Sequence, residues 1–301
     1  MLVKYILIRA FNYICQRDVV FFYIGKLNKR WQFISTIFIM YPATDEYAEA
    51  YVHRNLQKIM RWEPYLVGFF VQNGKVGLKF GISSNENAIR DKSNSTKLTK
   101  MVNYAAKVKS LVGAQQISFS GILPGVLNEQ RIIRGSVEAK VTVEAVLRAE
   151  AALRTTLNLS DSTPLVVLGG SGFIGRRVCR RIADERLIIE DPANTSPPAK
   201  KIEWFKMYKG KRIILLNLAN ENALNQFMPH LWPEIVILNE VYPEPSIFTI
   251  NKIKNIGCSL YHIVGLKGVS FPKFPKAYKG GIPCCAGRVS DELQPLITKL
   301  A

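Results

Sequence analysis

The 301-residue sequence predicts an α/β chain, with a doubly wound parallel sheet in its C-terminal half preceded by a smaller α/β substrate domain. Three observations predict it. Short aliphatic runs in LVVLG (165–169), KRIILLNLA (211–219) and EIVILNEVYPEPS (234–246) alternate with polar or amphipathic stretches, the pattern of strands buried on both faces and joined by crossovers. A glycine cluster follows the first run directly. A polar turn cluster, Leu159-Ser160-Asp161-Ser162-Thr163-Pro164, precedes that run. It divides the chain into an N-terminal arm (1–30), a first domain (31–158) and a second (159–301).

Composition narrows the class. Apolar residues make up 48% of the chain, and Gly (20), Pro (15) and Cys (5) do not dominate, so disorder, collagen and a disulfide scaffold are excluded. Lys and Arg number 41 against 23 Asp and Glu, leaving +18, so anionic partners are expected: a phosphate-bearing ligand, an acidic protein or an anionic membrane face. The five cysteines follow no regular spacing, which predicts a reduced, cytoplasmic protein. There is no C-x-x-C pair, and His53, His230 and His262 lie far apart, so no metal site is expected.

Residues 1–42 interrupt apolar runs with Lys4, Arg9, Arg17, Lys26, Lys29 and Arg30 against one acid, Asp18. No run reaches the roughly 18–20 residues of a membrane span, and no cleavage site follows a clean apolar core. Two readings remain: a basic amphipathic arm for peripheral contact with a membrane or partner, and an N-terminal helix and strand covering a core. FISTIFIMYP, which reads as a buried strand, favours the second. A helix is expected over 44–61, then a hairpin at Asn73-Gly74, a polar loop over 83–97 and a helix over 98–111. QQISFSGILPGVL reads as a strand and a Pro-Gly turn. Residues 136–157 read as a linking helix with a stripe of Val137, Val141, Ala145 and Leu153.

The most informative stretch is PLVVLGGSGFIGRRVCRRIADERLIIED (164–191), a strand, glycine turn, helix and strand. Gly170, Gly172 and Gly175 satisfy G-x-G-x-x-G, with Ser171, Phe173 and Ile174 between them. In a Rossmann-like turn the first glycine permits the tight turn, the second admits the pyrophosphate, and the third lets the helix pack closely. The helix mouth then offers amides to the phosphates. Glu190 or Asp191, about 20 residues on, suits the adenosine ribose hydroxyls and favours NAD over NADP. Arg176, Arg177, Arg180 and Arg181 could reach a phosphate, although a solvated helix face is their plainer reading. The strand ends of the later alternation place Asn217, Asn239, Glu240 and Tyr242 at the nucleotide crevice. NIGCSLYHIVGL adds a strand, and PANTSPPAKK replaces the helix of the second crossover.

GGSGFIG alone resembles the short-chain dehydrogenase/reductases, but no tyrosine here has a lysine four positions on. The domain order, ILPGVLNEQRIIRG before a long helix, and ILNEVYPEPS resemble the shikimate dehydrogenase-like group and the long-chain acyl-carrier-protein reductases over roughly residues 117–270. The resemblance implies a substrate domain, a linking helix and a nucleotide domain. The reductases' chemistry implies a thioester formed on a C-terminal cysteine and reduced by a nicotinamide. GGIPCCAGRVSDEL offers Cys284 and Cys285, with Lys279 and Arg288 near in sequence to lower a thiol pKa, against the reading of two cysteines packed in a turn. Tyr104 and Lys107 share a helix face and could polarise a carbonyl. His262 is the histidine whose strand ends toward the crevice.

The sequence therefore predicts an NAD(P)-dependent oxidoreductase acting on a carbonyl or acyl thioester, either as a small molecule or on an acidic carrier. The alternative is a non-catalytic nucleotide-binding or regulatory protein that keeps the fold. A homo-oligomer is compatible with either, and nucleic-acid binding is disfavoured because no recognised motif accompanies the charge.

Overall fold

A computed structural model describes residues 6, 10, 12–42, 61–191, 204–220, 222–275 and 278–301. The helix expected over 44–61 and the segment PANTSPPAKK fall almost wholly outside these residues. The chain forms two compact units, Met1–Val141 with Leu266–Leu293, and Thr142–Gly265 with Gln294–Ala301. That partition differs from a single division near residue 159.

The first unit opens with α1 (Asp18–Trp31), so the helix-and-strand reading of the N-terminus holds for these residues. Its buried positions Phe21, Gly25 and Asn28 recur at helical spacing. Asn28 fastens three elements at once: its amide nitrogen donates to the carbonyls of Ile34, Val112 and Gly113, and its oxygen accepts from the Ile34 amide at 2.7 Å. β1 (Ile34–Met40) follows, then β2 (Tyr65–Gln72) and β3 (Lys75–Gly81). The hairpin forms at the predicted dipeptide, with φ of 49° at Asn73 and 71° at Gly74, the left-handed pair that suits a tight two-residue turn.

The expected loop over 83–97 instead holds a short helix, α2 (Glu86–Arg90), a 3₁₀ turn and the start of α3 (Ser95–Val112). Side-chain caps make these turns: Asn85 Oδ1 accepts from Ala88 N, and Asp91 Oδ1 accepts from Ser93 N. β4 (Gln116–Phe119) leads into α4 (Leu123–Glu129), in place of the expected Pro-Gly turn. Pro124 lies in the first helical turn, where its missing N–H costs nothing.

The sheet has the order β10-β2-β3-β1-β4, with β1 parallel to β3 and β4 and the β2–β3 pair antiparallel. Its far edge, β10 (Val269–Phe271), comes from the end of the chain and pairs antiparallel with β2. One core cluster joins Phe21, Ile37, Ile39 and Phe80 to Leu98, Met101 and Val108 of α3. Phe38 alternates to the opposite side, where its ring meets Phe70 and Phe274 edge-on. Phe274 belongs to the returning segment, so residues from opposite ends of the chain close one core.

α5 (Val137–Thr156) is the linking helix, and the division between the units falls within it. Val141, Ala145 and Leu153 of the expected stripe are buried, while Val137, the first helical residue, is 42% exposed. Glu138 is buried in the first turn, and that burial raises its carboxyl to about 7, against smaller opposing hydrogen bonds including one with Ser136. A carboxyl raised in the native state binds its proton more tightly there than in the unfolded chain. Its stabilising effect is complete below about pH 4.5 and is lost as pH rises through about 7. Glu138→Gln should unfold like the wild type near pH 4 and resist urea better at pH 8, by on the order of 3 kcal/mol. Identical pH slopes in the two proteins would contradict it.

The second unit contains β5 (Leu165–Leu168), α6 (Gly175–Ile182), β6 (Leu187–Glu190), α7 (Trp204–Met207), β7 (Ile213–Asn217), α8 (Ala223–Phe227), β8 (Ile235–Asn239), α9 (Ile247–Ile256), β9 (Ser259–Leu266) and β11 (Pro295–Lys299). The sheet order is β11-β9-β8-β7-β5-β6, and the five strands from β6 to β9 run parallel. β5, β7 and β8 are buried at every position, as their unbroken aliphatic runs predict. α9 lies between two expected strands, where the sequence reading places no helix, although Ser246 caps it through Thr249 N and Gly257 ends it at φ 91°. Both signals are local. The chain passes from β5 outward to β6 and returns to β7 on the other side of β5, so the order reverses there. Ligands of open α/β sheets bind outside the strand ends at such a reversal.

Candidate functional site

The glycine turn caps that reversal. The positive φ, +83°, falls on Gly169 and not on Gly170, because the chain must turn back where a Cβ would lie 2.7–2.9 Å from Ala219. Gly170 is required by packing instead: its Cβ would come within 2.5 Å of Ile189 on β6. At Gly175 a Cβ would sit 2.0 Å from the Gly169 carbonyl oxygen, the close approach of helix to turn expected for the third glycine. Around Gly172 the only near atom is that same oxygen, at 3.1 Å, and Ser171 and Gly172 are exposed. Phe173 and Ile174 are half-buried. The turn is therefore packed beneath and open above.

Of the two candidate acids, Asp191 belongs to the turn. Its Oδ1 accepts from Ser171 N at 3.1 Å, whereas Glu190 is buried at the end of β6. Arg177 is not simply solvated: it donates to the Phe173 carbonyl at 2.5 Å and lies 4.0 Å over the Phe173 ring. Partial burial, with Arg176 and Arg180 adding repulsion, lowers its pKa. Arg176, Arg180 and Arg181 are exposed, as the plainer reading has them.

Along the adjacent strand ends, Asn217, Asn239 and His262 are register partners on β7, β8 and β9 and are all buried. Asn217 donates to Asn239 Oδ1 at 2.8 Å, and His262 Nδ1 lies 3.0 Å from Asn239 Nδ2 and 2.9 Å from the Asn239 carbonyl oxygen. Tyr242 meets the His262 ring edge-on at 4.8 Å and donates its hydroxyl to the Ile263 carbonyl. His262 thus holds the strand ends in register. The neighbouring Glu240, noted from sequence only for its place, is half-buried, and desolvation pushes its carboxyl up to about 7.

Tyr104 and Lys107 do not act together. Tyr104 accepts from Gln16 Nε2 at 2.7 Å, with burial raising its hydroxyl to about 12, and Lys107 pairs with Asp18 at 2.5 Å. Lys107 fastens α1 to α3, and Tyr104 ties α3 to Gln16 just before α1.

Cys284 and Cys285 lie in the first unit, in a 3₁₀ turn, and not in the nucleotide unit where the sequence places them. Cys284 is buried and Cys285 half-buried. A cavity of about 60 Å³ opens at the C-terminal ends of the parallel strands β1, β3 and β4, lined by Tyr41, Ile82 and Ser120 and, from the returning segment, by Phe274, Tyr278 and Pro283. Sequence reasoning missed it because its lid comes from the returning segment. Tyr41 accepts from the Ile122 amide at 3.2 Å, and burial raises its hydroxyl to about 12 against the lowering effect of that hydrogen bond. Gly121 at φ +53° leaves room for this hydroxyl, since a Cβ there would fall 2.4 Å from it. Tyr41 is therefore a hydrogen-bond donor at neutral pH and not a base. Among the described residues no cluster of three or more His, Cys, Asp or Glu could hold a metal ion.

Residues 165–241 match the NAD dependent epimerase/dehydratase family. The match spans β5 to the end of β8 and includes the whole glycine turn. The second unit is a Rossmann-type dinucleotide-binding unit. NAD(P) is its cofactor class. The glycine cradle fits that cofactor, because Gly172 leaves the mouth open where the pyrophosphate belongs. The match identifies neither the acyl-carrier-protein reductases nor the shikimate dehydrogenase group. No curated protein sequence matches the chain. Among solved structures, L-tryptophan dehydrogenase from Nostoc punctiforme is similar at 16% identity, covering 75% of this chain and 68% of that one, with a TM-score of 0.34. The TT0316 protein from Thermus thermophilus aligns at 13% identity over 74% of this chain and 79% of its own, with a TM-score of 0.26. D-2-hydroxyisocaproate dehydrogenase aligns at 12% identity over 74% and 76%, with a TM-score of 0.23.

Proposed function

We propose that this protein is an NAD-preferring reductase of acyl thioesters or related carbonyls, with its acyl site in the first-unit cavity. The observation that supports the substrate class is a cavity at the ends of three parallel strands, lined by Tyr41, a protonated phenol, and by Pro283, the residue that leads into the Cys284–Cys285 turn. In this reading the Cys285 thiolate attacks the thioester carbonyl carbon, forming one C–S bond. Tyr41 donates a hydrogen bond to the oxygen as negative charge develops there. The C–S bond to the carrier then breaks, the carrier leaves as a thiolate, and the acyl group remains on Cys285. NADH, when bound, would supply the hydride that such an acyl carbon needs; the C–S bond to Cys285 would then break, releasing an aldehyde and restoring the Cys285 thiolate. Glycines 170, 172 and 175 with Ser171 would hold the pyrophosphate, and Asp191 the adenosine ribose. An acid at that position disfavours a ribose phosphate, which supports NAD. The +18 charge suits an acidic carrier.

Two measurements test this. Thermal shifts with NAD, NADH, NADP and NADPH should show stabilisation by NAD and NADH, reduced on the order of tenfold in affinity by Asp191→Ala. Cys285→Ser should lower acyl-thioester reduction on the order of 10³-fold or more while leaving NADH binding unchanged. Full turnover in both Cys285→Ser and Cys284→Ser removes the thioester route. The absence of any shift with the four dinucleotides favours the non-catalytic reading.

A further inference from the structure

One face of α1 stays exposed among the described residues. The helix is fixed on its other side by Phe21, Asn28 and Gly25, where a Cβ would lie 1.9 Å from the Leu111 carbonyl oxygen, so it cannot roll to bury more surface. Yet Val19, Phe22, Tyr23, Leu27 and Trp31 stand 48–65% exposed along it. Large apolar side chains in such a row, on a helix already packed, mark an interaction surface. Their neighbours Lys26, Lys29 and Arg30 are exposed cations, and the Lys26 ammonium lies 4.8 Å from the centre of the Phe22 ring and 5.4 Å from that of Tyr23. The helix's one acid, Asp18, is paired with Lys107. Apolar and cationic groups therefore share one face, with nothing negative opposing them on the helix.

We infer that this face of α1 docks the protein on an anionic lipid surface, with Leu27 and Trp31 entering the headgroup boundary and Lys26, Lys29 and Arg30 meeting lipid phosphates. Charge selects the occupant. A second copy would bring the same three cations against their counterparts on a chain of net +18, whereas an anionic bilayer offers both opposite charge and an apolar layer beneath it. Tyrosine and tryptophan suit that boundary, apolar at one end and polar at the other. Among the described residues no helix is long and apolar enough to cross a membrane, so the mode is attachment in the interfacial plane. Docking is independent of the proposed reaction.

Cosedimentation of the full chain with vesicles of phosphatidylcholine alone, or with about 30% phosphatidylserine, tests this. Binding is expected with the anionic vesicles at about 0.15 M salt and should be lost near 1 M. Lys26→Gln/Lys29→Gln/Arg30→Gln should weaken it on the order of 100-fold. Brominated lipid should quench tryptophan emission in the wild type, and Trp31→Phe should abolish that quenching. Failure to bind anionic vesicles overturns the inference, as does binding that the triple variant retains in full. A dimer that Leu27→Ser/Trp31→Ser disperses would assign the face to a second copy and also overturn it. Unchanged thermal unfolding of each variant establishes that the fold is intact.

Discussion

Gly172→Ala is expected to leave the second unit folded and to remove most dinucleotide binding, while Gly175→Ala unfolds the turn itself. The two positions are three residues apart and differ only in what surrounds them. A methyl at 172 meets one atom, the Gly169 carbonyl oxygen at 3.1 Å, and a shift of a few tenths of an ångström relieves it. That methyl then occupies the space in which a pyrophosphate approaches the backbone. A methyl at 175 meets the same oxygen at 2.0 Å, with the Gly169 carbonyl carbon at 2.8 Å and Gly170 Cα at 2.9 Å, all of them backbone. Neither side can yield without breaking the β5 turn or the start of α6, so a loss of about 3 kcal/mol or more is expected. Urea midpoints and NADH titration on both variants separate the two effects. A Gly172→Ala protein that binds NADH like the wild type would remove the turn as the phosphate site.

Lys79→Ala is expected to lower stability by about 2–4 kcal/mol and to expose the buried thiol of Cys284. Lys79 is fully buried on β3, opposite Gly68 of β2 in the register. Gly68 has φ +146°, and a Cβ there would strike the Phe271 carbonyl oxygen at 2.1 Å. The returning chain therefore lies directly over a side-chain gap, through which Lys79 reaches Ser270 Oγ at 2.7 Å and the Pro272 carbonyl at 2.5 Å, with its ammonium 4.4 Å from the centre of the Phe274 ring. These contacts hold β10 and Phe274 against the first sheet, and the cavity lid and cysteine turn follow in the same segment. Lys79→Met keeps the volume and should lose about half as much. Thiol labelling reads the local effect: Cys284 should react faster in the alanine variant well below its unfolding midpoint. Unchanged labelling and an unchanged midpoint would show that Lys79 does not anchor the segment.

Much of the second unit was legible because its signals are local. Aliphatic runs at β5, β7 and β8 have to be strands buried on both faces, and G-x-G-x-x-G between a strand and a helix has few other uses. Asp191 was one of two acids at the right distance, and only the Ser171 amide separates it from Glu190. Asn73-Gly74 fixed its hairpin by the φ values it tolerates. The errors also have local causes. Capping side chains at Asn85, Asp91 and Ser246 turn polar stretches into helices, where polar composition alone reads as loop. Tyr104 and Lys107 shared the expected helix face, but each found a nearer partner on α1 or just before it.

By itself the sequence determined the buried parallel strands and the glycine turn, since each is written in short local runs, and the basic charge, which is a sum over the chain. Only the tertiary structure decided that Leu266–Leu293 leaves the nucleotide unit to complete the first. That return depends on β10 pairing with β2 and on Lys79 meeting Ser270, contacts across nearly 200 residues that no periodicity records. The same return brings Phe274, Tyr278 and Pro283 to the cavity that Tyr41 lines. Strand and turn preferences act between neighbours in the chain, whereas a cavity is made by whichever distant surfaces fit together.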